Sequence, residues 1–476
     1  MLVVGIMTIG LSLFMIPPMV TDLSIRHSDW QVFALSALIT GFFGTLLVLV
    51  SDWQGTDNIS RRDGFVITAV SWISMSFFGA IPFVLSGHRI SLVDAWFESV
   101  SGLTATGGTV LVGLDFMPPG LLLWRSILCW LGGIGIVVMA IIMLPFLRVG
   151  GMQLFHTESS DRSDKIVPRA GQLVRYIATC YGVLTVACLA AYAVSGLSLF
   201  DAVNHAMTTV ATGGFSTHDA SFGHFTQKSA IWTATIFMFL SSLPIVVYIR
   251  MLRGGSLAIW QDVQVRGFMA LVAVFVAGLT LWRYEVRDAP LFDVFTEVSF
   301  NVVSIISTTG FAYGDYAGWG PPAIGAFFVL TFIGGCTGST TGGIKIFRIQ
   351  IMWLTVKGYI ASLISPHRVH KPLYDGRAID DDVPIAVLAF VSMLFASFMI
   401  VAMALSALGL DFQTSVTGAA TALTNVGPGL GPVIGPTGTF ASLPDTAKVL
   451  LAASMILGRL EFFTILVLLD PSLWRK

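Results

Sequence analysis

Four short stretches of this chain carry residues that could do chemistry, and that chemistry is the replacement of a cation's water shell. They read TATGGT, VATGGF, STTGFA and TNVGPG. Their glycines Gly107, Gly213, Gly310 and Gly427 recur at a spacing of roughly 100 residues, the mark of a repeated architecture. A dehydrating cation needs oxygens around it, and stacked rings of backbone carbonyls supply them. Glycine admits the backbone conformations that aim such carbonyls inward. The expected filter is therefore Ala105, Thr106 and Gly107; Ala211, Thr212 and Gly213; Thr308, Thr309 and Gly310; and Asn425, Val426 and Gly427. Thr106, Thr212 and Thr309 either add side-chain oxygens or support the loops. Small-residue clusters in membrane helices more often serve close packing, but four copies at one period, each after a similar amphipathic run, favour the filter.

Each stretch follows a short segment of mixed polarity, beginning at Ser91, Ser198, Pro290 and Leu410. These segments are too short to span a bilayer. Backbone that re-enters at membrane depth survives only where protein or a water-filled cavity satisfies it. Four copies around one axis enclose a pore, and their helix C-termini, the negative dipole ends, favour a cation below the loops. Asp94, Asp201, Asp293 and Asp411 open these helices and are expected to act as N-caps. Glu98 is expected to brace the first loop, and His205 to be a hydrogen-bonded packing residue.

The elements that hold these loops must be membrane helices. Among 476 residues, 55% are apolar and only 11% charged, and the mean hydropathy is +0.82; a soluble surface needs roughly 25% charge. The net charge of −1 gives no field for nucleic acid. Cys129, Cys180, Cys188 and Cys336 form no spaced framework, so neither disulfides nor a zinc site is expected from them. The apolar start lacks a basic n-region and reads as a retained helix. Spans of about 20 apolar residues are expected at Leu2–Met19, Gln31–Ser51, Gly64–Leu85, Leu121–Leu147, Leu173–Val194, Ala230–Leu252, Gly267–Trp282, Ala323–Tyr359, Ile385–Leu408 and Ala447–Leu469. Trp124, Trp130, Trp232, Trp282 and Trp319 lie near their ends as interfacial aromatics. Alternating the spans gathers most Lys and Arg on one side, so the positive-inside rule puts both termini in the cytoplasm.

The fold class is an all-α integral membrane protein: four helix–re-entrant helix–helix repeats around one pore, with two extra N-terminal helices. The expected units are 1–60 for those two helices, then repeats at 61–150, 151–265, 266–378 and 379–476.

The span from Ala323 is interrupted by Gly334, Gly335, Cys336, Thr337, Gly338, Ser339, Thr340, Thr341, Gly342 and Gly343. Each glycine costs a helix about 1 kcal/mol against alanine, and the hydroxyls need water or a pore beside them. An unwound loop at 334–343, below the filter, is preferred to a kinked packing helix. It is not a phosphate-binding P-loop, because Lys345 follows Ile344 rather than glycine and no hydroxyl residue comes after it. Arg459, inside the last span, marks function by default. It either faces the pore and opposes cations or forms a static salt bridge, with Glu461 of a neighbouring chain, Glu98 or Glu297 as partner.

The four loops, IGGCTGSTTGGIKIFR from Ile333 and GRLEFFT from Gly458 resemble the Trk/Ktr/HKT superfamily of potassium transporters, most closely its bacterial Trk-type membrane subunits, over nearly the whole chain. The resemblance implies a single-chain K+ pore in the bacterial inner membrane, with the filter glycines at a constriction. Gly107, where a sodium-selective branch carries serine, favours potassium. It also implies an intramembrane gate at the loop, with Gly334, Gly335, Gly338, Thr340, Gly342, Gly343, Lys345 and Arg459 as gating residues. The implied partners are lipid, a second copy in a homodimer and a cytoplasmic nucleotide-binding regulatory subunit, a TrkA-like ring, docking on the basic segments Arg148–Arg175 and Lys345–Arg377. The fourth loop departs from the pattern at Asn425, Val426 and Pro428, so the pore is only approximately fourfold. An ion-coupled (H+ or Na+) symporter and a weakly selective K+/Na+ pore are the alternatives; a membrane enzyme ranks last, because no nucleophile–base pair or metal-ligand motif is present.

Overall fold

The computed structural model describes residues 1–51, 61–143, 170–252, 258–365, 373–380 and 382–471. Arg148, Arg162, Lys165, Arg169, Arg253, Arg368, Lys371, Arg475 and Lys476, all used to orient the chain, lie outside the described residues, as does most of the Arg148–Arg175 segment.

Among the described residues the chain is almost wholly helical, apart from a two-stranded hairpin pairing Leu373–Tyr374 with Arg377–Ala378. Seven helices are long and apolar enough to cross a bilayer: Leu2–Ser24, Trp30–Val50, Arg62–Leu85, Pro119–Val137, Val174–Val194, Val263–Val286 and Asp382–Ala407. The first two pack face to face, so closely that a Cβ on Gly44 would meet Ile9, and one on Gly5 would meet Val48. They hook onto the first repeat through buried Asp22, whose Oδ1 accepts from Gly120 N at 2.7 Å, in the first turn of helix Pro119–Met143. No side chain would fit at Gly120, where a Cβ would lie 2.2 Å from Asp22 Oδ2.

Each repeat has an outer helix, a short pore helix, a loop and a second helix. The pore helices are Leu92–Leu103, Leu199–Val210, Leu291–Ile306 and Phe412–Thr424. The second helices differ from the sequence expectation. Three of them break 12 to 15 residues after their start, whereas the first, Pro119–Met143, runs through. Lys228–Ser241 turns by 93° into Ile245–Met251 around Pro244, which has no N–H to continue a helix. Pro321–Phe332 gives way to the glycine loop before Ile346–Ile364 resumes. Asp445–Arg459 ends at positive-φ Glu461 and Phe462 before Phe463–Leu469. Ala230–Leu252 and Ala447–Leu469 are thus not single straight spans, and Arg459 sits at a helix end rather than inside a span. Each stretch is apolar on average over its length, so hydropathy did not register the breaks, although Ser241, Ser242 and Pro244 in one and Gly458, Arg459 and Glu461 in the other interrupt the apolar run.

Trp124 and Trp319 are buried rather than interfacial; Trp124 donates to Gly79 O. Capping also differs. Ser91 and Ser198 are the N-caps, accepting from the N–H of Asp94 and Asp201 and donating back to those carboxylates. This reciprocal arrangement puts the aspartate three residues inside the helix. Pro290 caps the third pore helix without a side-chain bond, and its Asp293 pairs with Lys228. Only Asp411 caps as expected, accepting from Thr414 N at 3.0 Å.

Candidate functional site: four loops over a glycine hairpin

The four pore helices end alike. In the first, Thr106 N reaches back to Ser101 O; in the others Gly213 N reaches Thr208 O, Thr309 N reaches Ser304 O and Val426 N reaches Thr421 O. Just before each of these residues comes one in the left-handed region, Ala105, Thr212, Thr308 or Asn425, with φ of 49°, 52°, 54° and 56°. Just after comes a positive-φ glycine: Gly107, Gly214, Gly310 or Gly427. Gly214, not Gly213, therefore stands with Gly107, Gly310 and Gly427, and Gly213 stands with Thr106. The TGG triplets of the first two loops look identical but are offset by one residue. Counting from the caps instead of from the triplets recovers the register, since Ser91 to Thr106 and Ser198 to Gly213 are equal spans.

The loops close into a ring. A Cβ on Gly107 would lie 2.4 Å from Gly213 O; on Gly214, 1.9 Å from Thr309 O; on Gly310, 2.0 Å from Val426 O; and on Gly427, 2.5 Å from Thr106 O. Each glycine thus faces the carbonyl of the next loop, and the fourth returns to the first. No side chain fits at any of the four, both for space and for φ. The hydroxyls of Thr106, Thr212 and Thr309 are engaged in support. Thr106 bonds Thr104 and accepts from Asn425 Nδ2 at 2.9 Å, Thr309 bonds Ser307, and Thr212 donates to Ala211 O and Thr340.

Behind the ring, one position of the pore helix braces the chain that leaves each of the first three loops. Glu98 accepts from Thr109 Oγ1 at 2.9 Å and Val110 N at 3.0 Å. His205 bonds Ser216 Oγ at 3.0 Å, and Asn301 takes both Tyr313 N and Tyr313 O. In the fourth repeat Gly418 holds this position, and the neighbouring Thr417 does the work, bonding Leu430 N and O. Arg125, a charged residue inside the expected span Leu121–Leu147, is 1% exposed. Its Nε lies 2.7 Å from Glu98 Oε1, its Nη1 donates to Ser216 O, and its guanidinium lies 4.2 Å from the Phe215 ring centroid. Arg125 and Asn301 are residues that sequence reasoning missed; the offset before its loop that Asn301 shares with Glu98 and His205 was the available signal for it.

On one side of the ring lies the stretch from Ile333 to Lys345. It is a compact loop, the glycine hairpin, whose two ends run parallel and are bridged where Gly334 N donates to Ile344 O and Ile344 N to Phe332 O. It docks on groups that the broken helices leave free: Cys336 N donates to Ser242 O, and Ile245 N to Gly338 O. It also reaches the ring supports. Thr340 Oγ1 donates to Val210 O at 3.1 Å, Gly342 N to Thr308 Oγ1 at 2.7 Å, and a Cβ on Gly342 would meet Thr424 O at 2.2 Å. The space below the pore-helix ends holds this hairpin. Arg459 Nη1 donates to Thr340 O at 3.0 Å and Nη2 to Gly132 O at 3.3 Å. Within the chain neither Glu98 nor Glu297 is its partner, since Glu98 pairs with Arg125 and Glu297 with Arg287, and the chain's own Glu461 pairs with Arg348. A guanidinium at a helix break finds backbone carbonyls nearer than any of these acids. Lys345 turns back on the hairpin, donating to Thr341 O and Oγ1.

On the opposite side a vestibule opens, lined by Gly107, Gly214 and Gly310 with Ser216, His218 and Asp219. This arrangement of an open mouth, a glycine–carbonyl ring and a hairpin beneath suits passage of a dehydrated cation rather than covalent chemistry.

Known proteins agree with that geometry. The family model TrkH, described as a cation transport protein, matches residues 30–476. The chain is 46% identical over its full length to the Trk system potassium uptake protein TrkI of Halomonas elongata, of which 96% is covered. It is 35% identical to TrkH of Escherichia coli K12, again over its full length and 98% of that protein. The crystal structure of the potassium transporter TrkH from Vibrio parahaemolyticus superimposes with a TM-score of 0.91 at 32% identity, covering 100% of this chain and 98% of that one. The chain is a transporter rather than an enzyme, and it belongs to the TrkH family of cation transport proteins.

Proposed function

We propose that this chain takes up potassium across the bacterial inner membrane through a channel-like filter, gated by the hairpin at 334–343. The observation that carries the reading is the closed cycle in which Gly107, Gly214, Gly310 and Gly427 each face the preceding-residue carbonyl of the next loop. A ring of that kind offers K+ a set of oxygens at one level, with Thr106, Gly213, Thr309 and Val426 supplying carbonyls. The resident ion is the cargo, and no organic cofactor is called for. The vestibule faces outward, the hairpin faces the cytoplasm, and both termini are cytoplasmic. Gly334, Gly335, Gly338, Thr340, Gly342, Gly343, Lys345 and Arg459 form the gate. A cytoplasmic nucleotide-binding ring drives it, and two copies assemble as a homodimer. Support for the gate comes from its bonds to Val210, Thr308 and Arg459, which tie its position to the pore-helix ends.

The test is cation flux into liposomes carrying the purified protein, comparing K+, Rb+, Na+ and Li+, beside Gly107→Ser. K+ and Rb+ should pass ahead of Na+, and the variant should lose that order, because its Cβ has no room beside Gly213 O. Flux indifferent to Gly107 would remove the ring as the filter. An ion-coupled symporter is the second reading, favoured by the three broken helices. Those breaks fall at matching places in parallel repeats rather than in inverted halves, so the symporter ranks below the gated pore. K+ uptake driven by an imposed pH or Na+ gradient would reverse that ranking.

A further inference from the structure

Two loops leaving the ring meet at the vestibule wall and bring together three groups that transport of K+ does not require. Asp115 comes from the short helix Leu114–Phe116 after the first loop, and His218 and His224 come from the segment after the second. Their ligand atoms all lie within 4.8 Å of one another. His218 Nδ1 is 2.5 Å from Asp115 Oδ1, and His224 Nδ1 is 3.9 Å from the same oxygen. We propose that Asp115, His218 and His224 bind a divalent transition-metal ion of the zinc class on the vestibule wall.

The donor set is right for that class. Two imidazoles and a carboxylate are a common three-ligand zinc set, leaving a fourth position for water. Bonds of about 2.0–2.1 Å in a tetrahedral site put ligand atoms about 3.4 Å apart, between the two distances found here. The surroundings are also built for it. Asp201 Oδ1 lies 3.3 Å from His218 Nε2, so a carboxylate stands on the far side of the ligating imidazole, where outer-shell partners of metal histidines stand. Asp219 Oδ1 accepts from Gly113 N and Leu114 N, which holds the Asp115 turn against the histidine segment. The His218 and His224 rings are stacked, 3.5 Å apart and 3° from parallel. One must tilt for both nitrogens to meet one ion, and the half-exposed His224 is free to do so. Because His218 also lines the vestibule beside Gly107 and Gly214, a bound divalent charge would oppose cations reaching the ring.

The experiment uses the full chain, freed of any histidine tag, with Zn2+ as probe. Zinc content after dialysis and calorimetric titration should give one Zn2+ per chain. His224→Ala and Asp115→Asn, both on partly exposed positions, should each weaken binding by about tenfold or more. Zn2+ on the vestibule side should slow flux in the wild type and not in His224→Ala. No stoichiometric zinc, or zinc that survives both substitutions, overturns the site and leaves the cluster a plain ion pair. Flux without zinc reads the transport proposal separately, so either can fail alone.

Discussion

Arg125 and Glu98 are each almost wholly buried, and each is the other's charge partner. Breaking a buried pair from one side strands the remaining charge, at a cost of about 3–5 kcal/mol. Arg125→Gln should therefore lower the thermal unfolding midpoint of the detergent-purified protein sharply, whereas Arg125→Gln with Glu98→Gln should recover part of the loss. Equal destabilisation in the single and double variants would show that the pair matters through packing on Phe215 alone. Asn301 does by hydrogen bonding in the third repeat what Glu98 does in the first. Asn301→Ala leaves the Tyr313 amide without a partner, a loss of about 1–3 kcal/mol, and should loosen the third loop. Slower loss of K+ preference than in Gly107→Ser, measured by the same flux assay, is the expected sign.

At the scale of elements, the hairpin from Ile333 to Lys345 is fixed by groups that other helices give up by breaking. Ser242 O and Ile245 N are free because the chain turns at Pro244, and Arg459 reaches Thr340 O because its helix ends there. Arg459→Gln shortens that reach and removes the charge, so basal K+ flux in liposomes without any cytoplasmic partner should rise. Unchanged or lower flux would make Arg459 a strut between repeats rather than a latch. These elements also mark what the sequence could and could not disclose. The four loops, their pore helices and the unwound glycine run were legible because glycine and threonine in membrane segments are conspicuous. The breaks at Pro244 and Glu461 were not, since hydropathy averaged over each span stays high and hides the short polar interruptions there. The register of the second loop was hidden by its own TGG triplet, which invited alignment on the wrong glycine. The Arg125–Glu98 pair was hidden by distance along the chain, since 27 residues separate the two.

For the whole molecule, the single chain supplies the entire ring, so dimerisation is not needed to build a pore. A homodimer would then hold two pores rather than share one. Size-exclusion chromatography with light scattering in detergent should give a protein mass of two chains, and flux per chain should be unchanged in a monomeric variant. A pore that conducts only as a dimer would contradict the closed four-loop ring.

That ring also has a consequence for heredity. Where four identical subunits surround a pore, one codon alters every position of a level together. Here each level is written in four separate codons, and each glycine leans on the loop that comes next in the chain, with the last leaning on the first. A lineage can therefore alter one quarter of the ring at a time, and the strain of each alteration falls on one neighbour rather than on all. The fourth loop already differs from the other three, and its Asn425 reaches across to Thr106 in the first, so a departure in one repeat meets a contact in the repeat beside it.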